Sequence, residues 1–439
     1  MTNTLLTSAQ WAVSEFALAE LGDQRRTQRL VKIATNLARN PGGTLPQAFP
    51  EWTDLKAAYR FFDQPKVTFE QIQSSHWQRT REACHQPGEY LLIEDTSELD
   101  YTDHPATEEM GSIGDGKGRG LLLHSTLALR LEGWDGEERP QGIALGLLRQ
   151  QCWSRWGRPR RKQETRRQLM NRSRESQRWA VALEEGGPPT GCTWIYITDR
   201  EGDFYEPIER CQRQKVDFII RGFHDRVLSE GAGHLNEAVA KAPVCGCLSV
   251  ELRAHAGRAA RVAQVEVRTL RLSFNGPRRP SGKQPDFQAN VVEVREVGAP
   301  EGSEPLHWLL LTSLSCHTWA QVRRVIRLYA MRWCVEEYHK ALKSGAGVED
   351  SQMERAYRIE TLVAVLAVVA VRLLNTKWLA RTRPHEPVDP KVFGSEMLAI
   401  LTAKFGKPQG GWTHRTVLVS VARVGGFLAR RGDGMPGRQ

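Results

Sequence analysis

Five short apolar segments between residues 90 and 222 constrain the fold more than any other feature of the sequence. Each is rich in leucine, isoleucine, valine or aromatic residues and is bounded by polar residues or glycine, which is typical of a buried β-strand. Helical intervals separate the later segments, and this order predicts an α/β fold with a mixed sheet. The predicted strands are Tyr90–Asp95, Leu121–Leu129, Gly142–Leu148, Cys192–Thr198 and Val216–Gly222.

Aspartates stand at the ends of two of these segments. Asp95 ends the first predicted strand, and Asp199 directly follows the fourth. A single aspartate in such a place is most often a turn or helix cap, whereas a buried carboxylate needs a cation or a hydrogen-bonding partner. The two aspartates therefore indicate either two caps or one shared site.

A third carboxylate, Glu336, lies in a helix predicted from Val322 to Lys343 and ended by Gly345. Five polar residues here are spaced 3, 4, 4 and 3 apart, so that at about 3.6 residues per turn they share one face. Apolar residues occupy most of the other face. The polar face is either a solvated surface with an ion pair between its arginine and glutamate or the wall of a site. Its members are Tyr329, Arg332, Glu336, Lys340 and Lys343.

The pattern Tyr-x2-Arg-x3-Glu-x6-Lys in this helix resembles the signature helix of bacterial insertion-sequence transposases of the DDE type, in the branch called the insertion-sequence-four family. The stretches IEDTS at 93–97 and TDREGD at 198–203 match the same family in the same order. The resemblance implies a ribonuclease-H-like, mixed-sheet catalytic core in which Asp95, Asp199 and Glu336 are catalytic and bind two Mg²⁺ ions, for which Mn²⁺ would substitute. Carboxylate oxygens are the ligands that these hard cations prefer.

A second group of strand patterns fills residues 222–316, where polar and apolar residues alternate. We predict a β-rich insertion here, which divides the core into 71–221 and 317–375. Trp308 lies in its last strand and is either a core residue or, as the resemblance implies, a residue that stacks on a base flipped out of the duplex. The resemblance also assigns four residues to the phosphate beside that base. These are Tyr329, Arg332, Lys343 and Arg221.

The N-terminal residues 1–70 are predicted to be helical, with basic residues interleaved among apolar ones. A basic helix beside a short turn is either a DNA-reading element or an ordinary amphipathic surface. The stretches LGDQRR at 21–26 and AYRFF at 58–62 resemble the family's N-terminal end-binding domain. By that resemblance, the candidate contacts with the transposon end are Arg25, Arg26, Arg29, Arg39 and Arg60.

Charge and the remaining segments agree with a nucleic-acid partner. The chain carries 61 Lys and Arg against 51 Asp and Glu, a net charge of +10, which favours a polyanion. Nine basic residues and one acid between 155 and 174 predict either a loop that follows DNA or an exposed basic surface. The C-terminal region, 376–439, is predicted to be helical. It lacks the tryptophan-rich helix that relatives use to pair two protomers, so we expect a shortened dimerisation domain or another dimer surface.

Together these features predict a cut-and-paste DNA transposase, with double-stranded transposon ends and target DNA as partners and a homodimer in the synaptic complex. By the resemblance, a metal-activated water nicks one strand, the freed 3′-hydroxyl makes a hairpin, and water reopens it before strand transfer. One alternative is a catalytically inactive or truncated DNA-binding transposition inhibitor or domesticated regulator. The other is a metal-dependent nuclease without strand transfer. No secretion signal or membrane-spanning run is apparent, so we expect a bacterial cytoplasmic, nucleoid-associated protein.

Overall fold

The computed structural model describes residues 6–135, 139–156, 175–252, 260–279, 282–430, 433 and 435–436. Most of the basic segment predicted to follow DNA, residues 157–174, lies outside this range. The described chain is a mixed α/β structure with one large sheet and helices at both ends.

Five helices form the N-terminal part, as the sequence predicts. Threonine or aspartate side chains precede α1, α2, α3 and α5 and accept a hydrogen bond from the first helical turn, which is the usual way to satisfy free amide groups at a helix start. Apolar residues such as Phe16, Leu30 and Phe62 are buried between the helices. The helices are α1 (Ser8–Phe16), α2 (Gln24–Arg39), α3 (Leu45–Ala48), α4 (Trp52–Phe62) and α5 (Phe69–Cys84).

All five predicted strands are present in the central sheet, which confirms the prediction of a mixed sheet. β1 lies between β3, which is antiparallel to it, and β5, which is parallel to it. β6 continues the sheet in parallel beyond β5, while β2 and β4 both pair with the far edge of β3. The strands are β1 (Gly88–Asp100), β2 (Gly111–Ile113), β3 (Gly118–Trp134), β4 (Pro140–Trp153), β5 (Cys192–Thr198) and β6 (Asp217–Arg221).

The strands predicted after residue 222 also exist, and they extend the same sheet. β12 pairs antiparallel with β6, and β11, β8 and β7 follow in that order, so the described residues form one ten-stranded sheet, while β9 and β10 pair separately. This pairing links β6 to β12 directly, although 85 residues separate Arg221 from His307. The elements are α6 (Tyr205–Gln214), α7 (Leu235–Lys241), β7 (Val244–Leu252), β8 (Arg261–Phe274), β9 (Arg278–Arg279), β10 (Gly282–Lys283), β11 (Phe287–Glu296) and β12 (His307–Thr312).

The helix predicted from Val322 to Lys343 is in fact two helices and a turn. α8 (Trp319–Ala330) and α9 (Trp333–Lys340) are separated at residues 331–332, and a π-helical turn, Ala341–Gly345, follows. Met331 and Arg332 keep nearly helical dihedral angles, and neither is glycine or proline. The break therefore has no signal of the kind that a sequence usually gives.

α10 (Ala356–Thr382) is long and apolar enough to cross a membrane by length and composition, but 72% of its most apolar window is buried inside the fold. α10 packs against α5, β4 and α2, among other elements. It is therefore a buried helix of the core. The C-terminal helices are α11 (Pro390–Phe393), α12 (Ser395–Phe405) and α13 (His414–Val424).

A buried glutamate joins the N-terminal helices to the sheet. Glu15 on α1 accepts hydrogen bonds from His76 Nδ1 at 2.7 Å and from Arg79 at 2.7 Å. His76 Nε2 in turn accepts from the backbone N–H of Leu147 on β4 at 2.9 Å. Burial tends to raise the pKa of Glu15, but His76 and Arg79 outweigh it and hold that pKa below its ordinary value of 4.5.

We expect Glu15→Gln to lower the free energy of unfolding by about 2 kcal/mol at pH 7, because hydrogen bonds to a charged group are lost. Since the pKa of Glu15 is lowered by folding, its contribution is complete above pH 4.5 and is lost as pH falls through the folded pKa. Urea unfolding at pH 7 and at pH 4 measures this, with the exposed Glu82→Gln as control. An equal loss in both variants at pH 7 would contradict the assignment.

Candidate active site

The two aspartates singled out in the sequence lie on neighbouring parallel strands. Glu94 of β1 is paired with Thr198 of β5, so the next residues, Asp95 and Asp199, are adjacent across the sheet. The expectation that Asp95 ends its strand is wrong: β1 continues to Asp100 because residues 96–100 remain paired with β3. Asp199 does follow the end of β5, and it also caps the 3-10 turn Arg200–Gly202 by accepting a hydrogen bond from the N–H of Glu201 at 2.9 Å.

The third carboxylate reaches the same region from α9. Glu336 lies in the first turn of this helix and forms an ion pair with Arg332. His339, one turn further on, places Nδ1 3.8 Å from Oδ2 of Asp95. Asp95, Asp199 and Glu336 are thus brought into one region by two strands and one helix.

The three carboxylates also share one electrostatic environment. Burial raises the pKa of Asp95 to about 8, and the neighbouring charges of Asp199, Glu201 and Glu336 add to this, whereas Arg332 opposes it. Within the described part of the chain, no three histidine, cysteine, aspartate or glutamate side chains already have the mutual arrangement of a metal site. The carboxylates are therefore neighbours with excess negative charge, but not a finished set of ligands.

Other carboxylates next to these residues have structural roles instead. Glu94 accepts hydrogen bonds from Thr126, Tyr196 and the N–H of Ala180. Asp203 holds the loop after β6 by accepting from two backbone N–H groups and from Arg226. Glu337 accepts from Trp378 and Arg381 of α10. Each is already satisfied by protein groups, whereas Glu201, beside Asp199, has a pKa that burial and the charge of Asp199 raise.

A cleft of about 470 Å³ opens beside the carboxylates. Trp308 on β12 is half-buried and meets the ring of Tyr329 edge-on, with the ring centroids 5.0 Å apart. Trp308 thus packs on the core while its other side faces the cleft that it helps to line. The lining includes residues that the sequence analysis did not single out, although two of them directly follow matched motif residues. They are Arg200, after Asp199, and Trp333, after Arg332, together with His307.

Tyr329, one of the five residues of the polar face, is buried and forms part of the wall of the cleft. It is 3% exposed because it packs beneath Trp308. Its hydroxyl oxygen has no hydrogen-bond partner among the described residues. Burial raises the pKa of Tyr329, while the nearby Arg332 and Arg221 oppose that rise.

The three cations predicted to bind phosphate are all engaged within the protein. Arg332 pairs with Glu336, and Lys343 lies 3.2 Å from Glu349. Arg221 donates a hydrogen bond to the carbonyl of His307 at 2.8 Å. A phosphate would therefore share these cations with internal acceptors or replace those acceptors.

The N-terminal arginines differ in how accessible they are. Arg25 pairs with Asp23, Arg26 donates to the carbonyl of Leu21, and Arg29 shares Asp54 with Lys32. Arg39 and Arg60 are exposed, and so is Arg25 despite its ion pair. The structure therefore brings α2 and α4 together through Asp54 and leaves Arg25, Arg39 and Arg60 available to an external partner.

Asp95→Asn is expected to stabilise the metal-free protein by about 2 kcal/mol near pH 8. Folding raises the pKa of Asp95 from 3.8 to about 8, so the folded state binds its proton more tightly and loses stability as pH rises through that window. Asparagine mimics the protonated form at every pH. Thermal unfolding in EDTA between pH 5 and pH 8 measures this, and a stability difference that does not grow with pH would contradict the burial of an uncompensated charge.

Residues 8–67 match the family model of the transposase DNA-binding domain. The matched range contains α1 to α4 and all five candidate arginines. The match supports a role in transposition, with DNA as the partner of these helices.

Proposed function

We propose that this chain is a cut-and-paste DNA transposase of the DDE type, resembling the insertion-sequence-four family. The observation that carries the proposal is the adjacency of Asp95 and Asp199 on parallel strands, with Glu336 brought to them by α9, in a chain whose residues 8–67 match a transposase DNA-binding domain. A ribonuclease-H-like core with an inserted segment at 222–316 is the matching proposal for the fold.

The donor set fits divalent metal ions. Asp95, Asp199 and Glu336 offer oxygen ligands. Burial together with the neighbouring carboxylates raises the pKa of Asp95 to about 8, so a bound cation would favour its charged form. Two Mg²⁺ ions held there would stabilise the attacking and leaving oxygens of an in-line displacement at phosphorus. Mn²⁺, with the same ligand preference, would substitute.

The cleft beside the carboxylates supplies what strand transfer needs in addition to hydrolysis. Trp308 offers an aromatic surface on which a flipped base would stack. Arg332, Arg221 and Lys343 would bind the phosphate next to that base, and Tyr329 would donate its unpartnered hydroxyl hydrogen to the same phosphate. These groups would hold a hairpin end while the 3′-hydroxyl attacks the opposite strand.

We further propose a homodimer acting on two transposon ends in the bacterial cytoplasm. The rival function is a DNA-binding inhibitor or regulator without catalysis. All three carboxylates are present and neighbouring, and such a protein would have no use for them. A nuclease without strand transfer is less favoured because it would not need the aromatic cleft.

The test is a cleavage assay on labelled DNA that carries the element's own ends, with Mg²⁺, Mn²⁺ or EDTA, resolved on a denaturing gel. Nicks that require metal and mature into hairpins are the expected result. Binding without cleavage under every metal would support the inhibitor instead, and nicks that never form hairpins would support the nuclease.

A further inference from the structure

Arg332 already engages Glu336, the residue that the proposed function makes a metal ligand. Its side chain is 29% exposed and pairs with Arg332, whose side chain is 16% exposed. Separating a partly buried pair such as this one is costly when either charge is left without a counter-ion.

Arg332 also acts electrostatically on Asp95. Its positive charge opposes the rise in the pKa of Asp95, and Glu336 and Asp95 both act on Arg332 in return. Arg332 therefore now neutralises part of the negative charge that a metal ion would neutralise. The two cations, guanidinium and metal, compete for the same carboxylates.

A phosphate offers Arg332 another partner without leaving it unpaired. Guanidinium binds phosphate through two parallel hydrogen bonds, at least as well as it binds a carboxylate. The buried Tyr329 hydroxyl, three residues before Arg332 and without a partner, would donate to the same phosphate. Arg332 and Tyr329 both line the cleft beside the carboxylates.

We propose that Arg332 is a latch on Glu336, and that a DNA phosphate opens it by taking the place of Glu336 as the partner of Arg332. Glu336 is then released to join Asp95 and Asp199 around the metal. Binding of DNA and binding of metal are therefore cooperative, and each strengthens the other by the same factor. This inference rests on the proposed metal site and deepens it.

The test measures Mn²⁺ affinity by the electron paramagnetic resonance signal of the free ion, without any cleavage readout. The proteins are wild type, Arg332→Gln and Arg221→Gln, each checked for folding by thermal unfolding. Arg221→Gln is the matched control because it removes a cation of the same cleft whose acceptor is a carbonyl and not a catalytic carboxylate. The DNA probe is a short blunt duplex ending in the element's terminal sequence, which is the product of excision and lacks the junction with flanking DNA that the proposed enzyme would cleave.

Without DNA, Arg332→Gln is expected to bind Mn²⁺ about tenfold more tightly than wild type, and clearly more tightly than Arg221→Gln. The duplex is expected to tighten Mn²⁺ binding to wild type by about tenfold and to have little effect on Arg332→Gln. An equal increase of Mn²⁺ affinity in both arginine variants would show simple charge removal and overturn the latch. A wild-type Mn²⁺ affinity that DNA leaves unchanged would also overturn it.

Asp95→Asn separates failure of the latch from failure of the site. If Mn²⁺ binding depends on Asp95 but Arg332→Gln does not strengthen it, only the latch is overturned. If no protein shows Asp95-dependent Mn²⁺ binding, with or without DNA, the metal site and the latch are both overturned.

Discussion

Glu336→Gln is expected to reduce strand cleavage by about a thousandfold or more without weakening the binding of transposon ends. The amide keeps the shape of the side chain but loses the negative charge that a hard cation requires. The N-terminal helices that match the DNA-binding domain are untouched. Cleavage is measured on a denaturing gel with Mg²⁺, and end binding by mobility shift. Cleavage at the wild-type level would remove Glu336 from the proposed site.

The neighbouring glutamate is the matched control for this variant. Glu337 is the next residue on α9, but it contacts Trp378 and Arg381 of α10 instead of the aspartates. We expect Glu337→Gln to lower the free energy of unfolding by about 1–3 kcal/mol and to leave cleavage per folded molecule near the wild-type rate. A comparable loss of cleavage in both variants would mean that α9 as a whole, and not the charge of Glu336, is required.

Trp308→Ala is expected to slow hairpin formation about 5- to 100-fold while slowing the first nick much less. Stacking of a base on an aromatic ring contributes about 1–3 kcal/mol, and only the hairpin step needs the flipped base. Because Trp308 also packs against Tyr329, the variant should be compared with wild type at a temperature where both are folded. Single-turnover gels resolve the two steps. An equal effect on nicking and on hairpin formation would indicate a core role alone.

Trp308→Phe separates packing from stacking in the same experiment. Phenylalanine keeps an aromatic face toward the cleft and most of the contact with Tyr329. We therefore expect it to restore most of the hairpin rate. A phenylalanine variant that folds normally but forms hairpins as slowly as the alanine variant would assign the effect to the indole itself, for example to its N–H group.

Much of the sheet was predictable because its strands carry local signals. β5 and β6 are continuous apolar runs, and β8 and β11 alternate polar and apolar residues, so each could be located without knowledge of its partners. The pairing of β6 with β12 had no such signal, since it joins residues far apart in sequence. The extent of β1 was also missed, because Thr96 and Glu98 look like loop residues although β3 pairs with them.

For the candidate site, the sequence named residues but did not report their surroundings. The resemblance selected the carboxylates, and the register of β1 and β5 brings Asp95 beside Asp199. The burial of Tyr329 and the sharing of Asp54 by Arg29 and Lys32 depend on packing between elements, which residue spacing along one helix does not report. The break between α8 and α9 was missed because neither Met331 nor Arg332 is a residue type that usually ends a helix. Both residues also keep dihedral angles close to helical values.

β1, β5, β6 and β12 are successive neighbours in one sheet, and this order sets the spacing between the strand of Asp95 and the strand of Trp308. Neighbouring strands are about 4.8 Å apart, so three steps separate the strand of Asp95 from the strand of Trp308 by about 14 Å. Backbone hydrogen bonds join each neighbouring pair of strands on this path. If a folded-back DNA end binds as proposed, the span from its reacting phosphorus to its displaced base has to fit this spacing between strands.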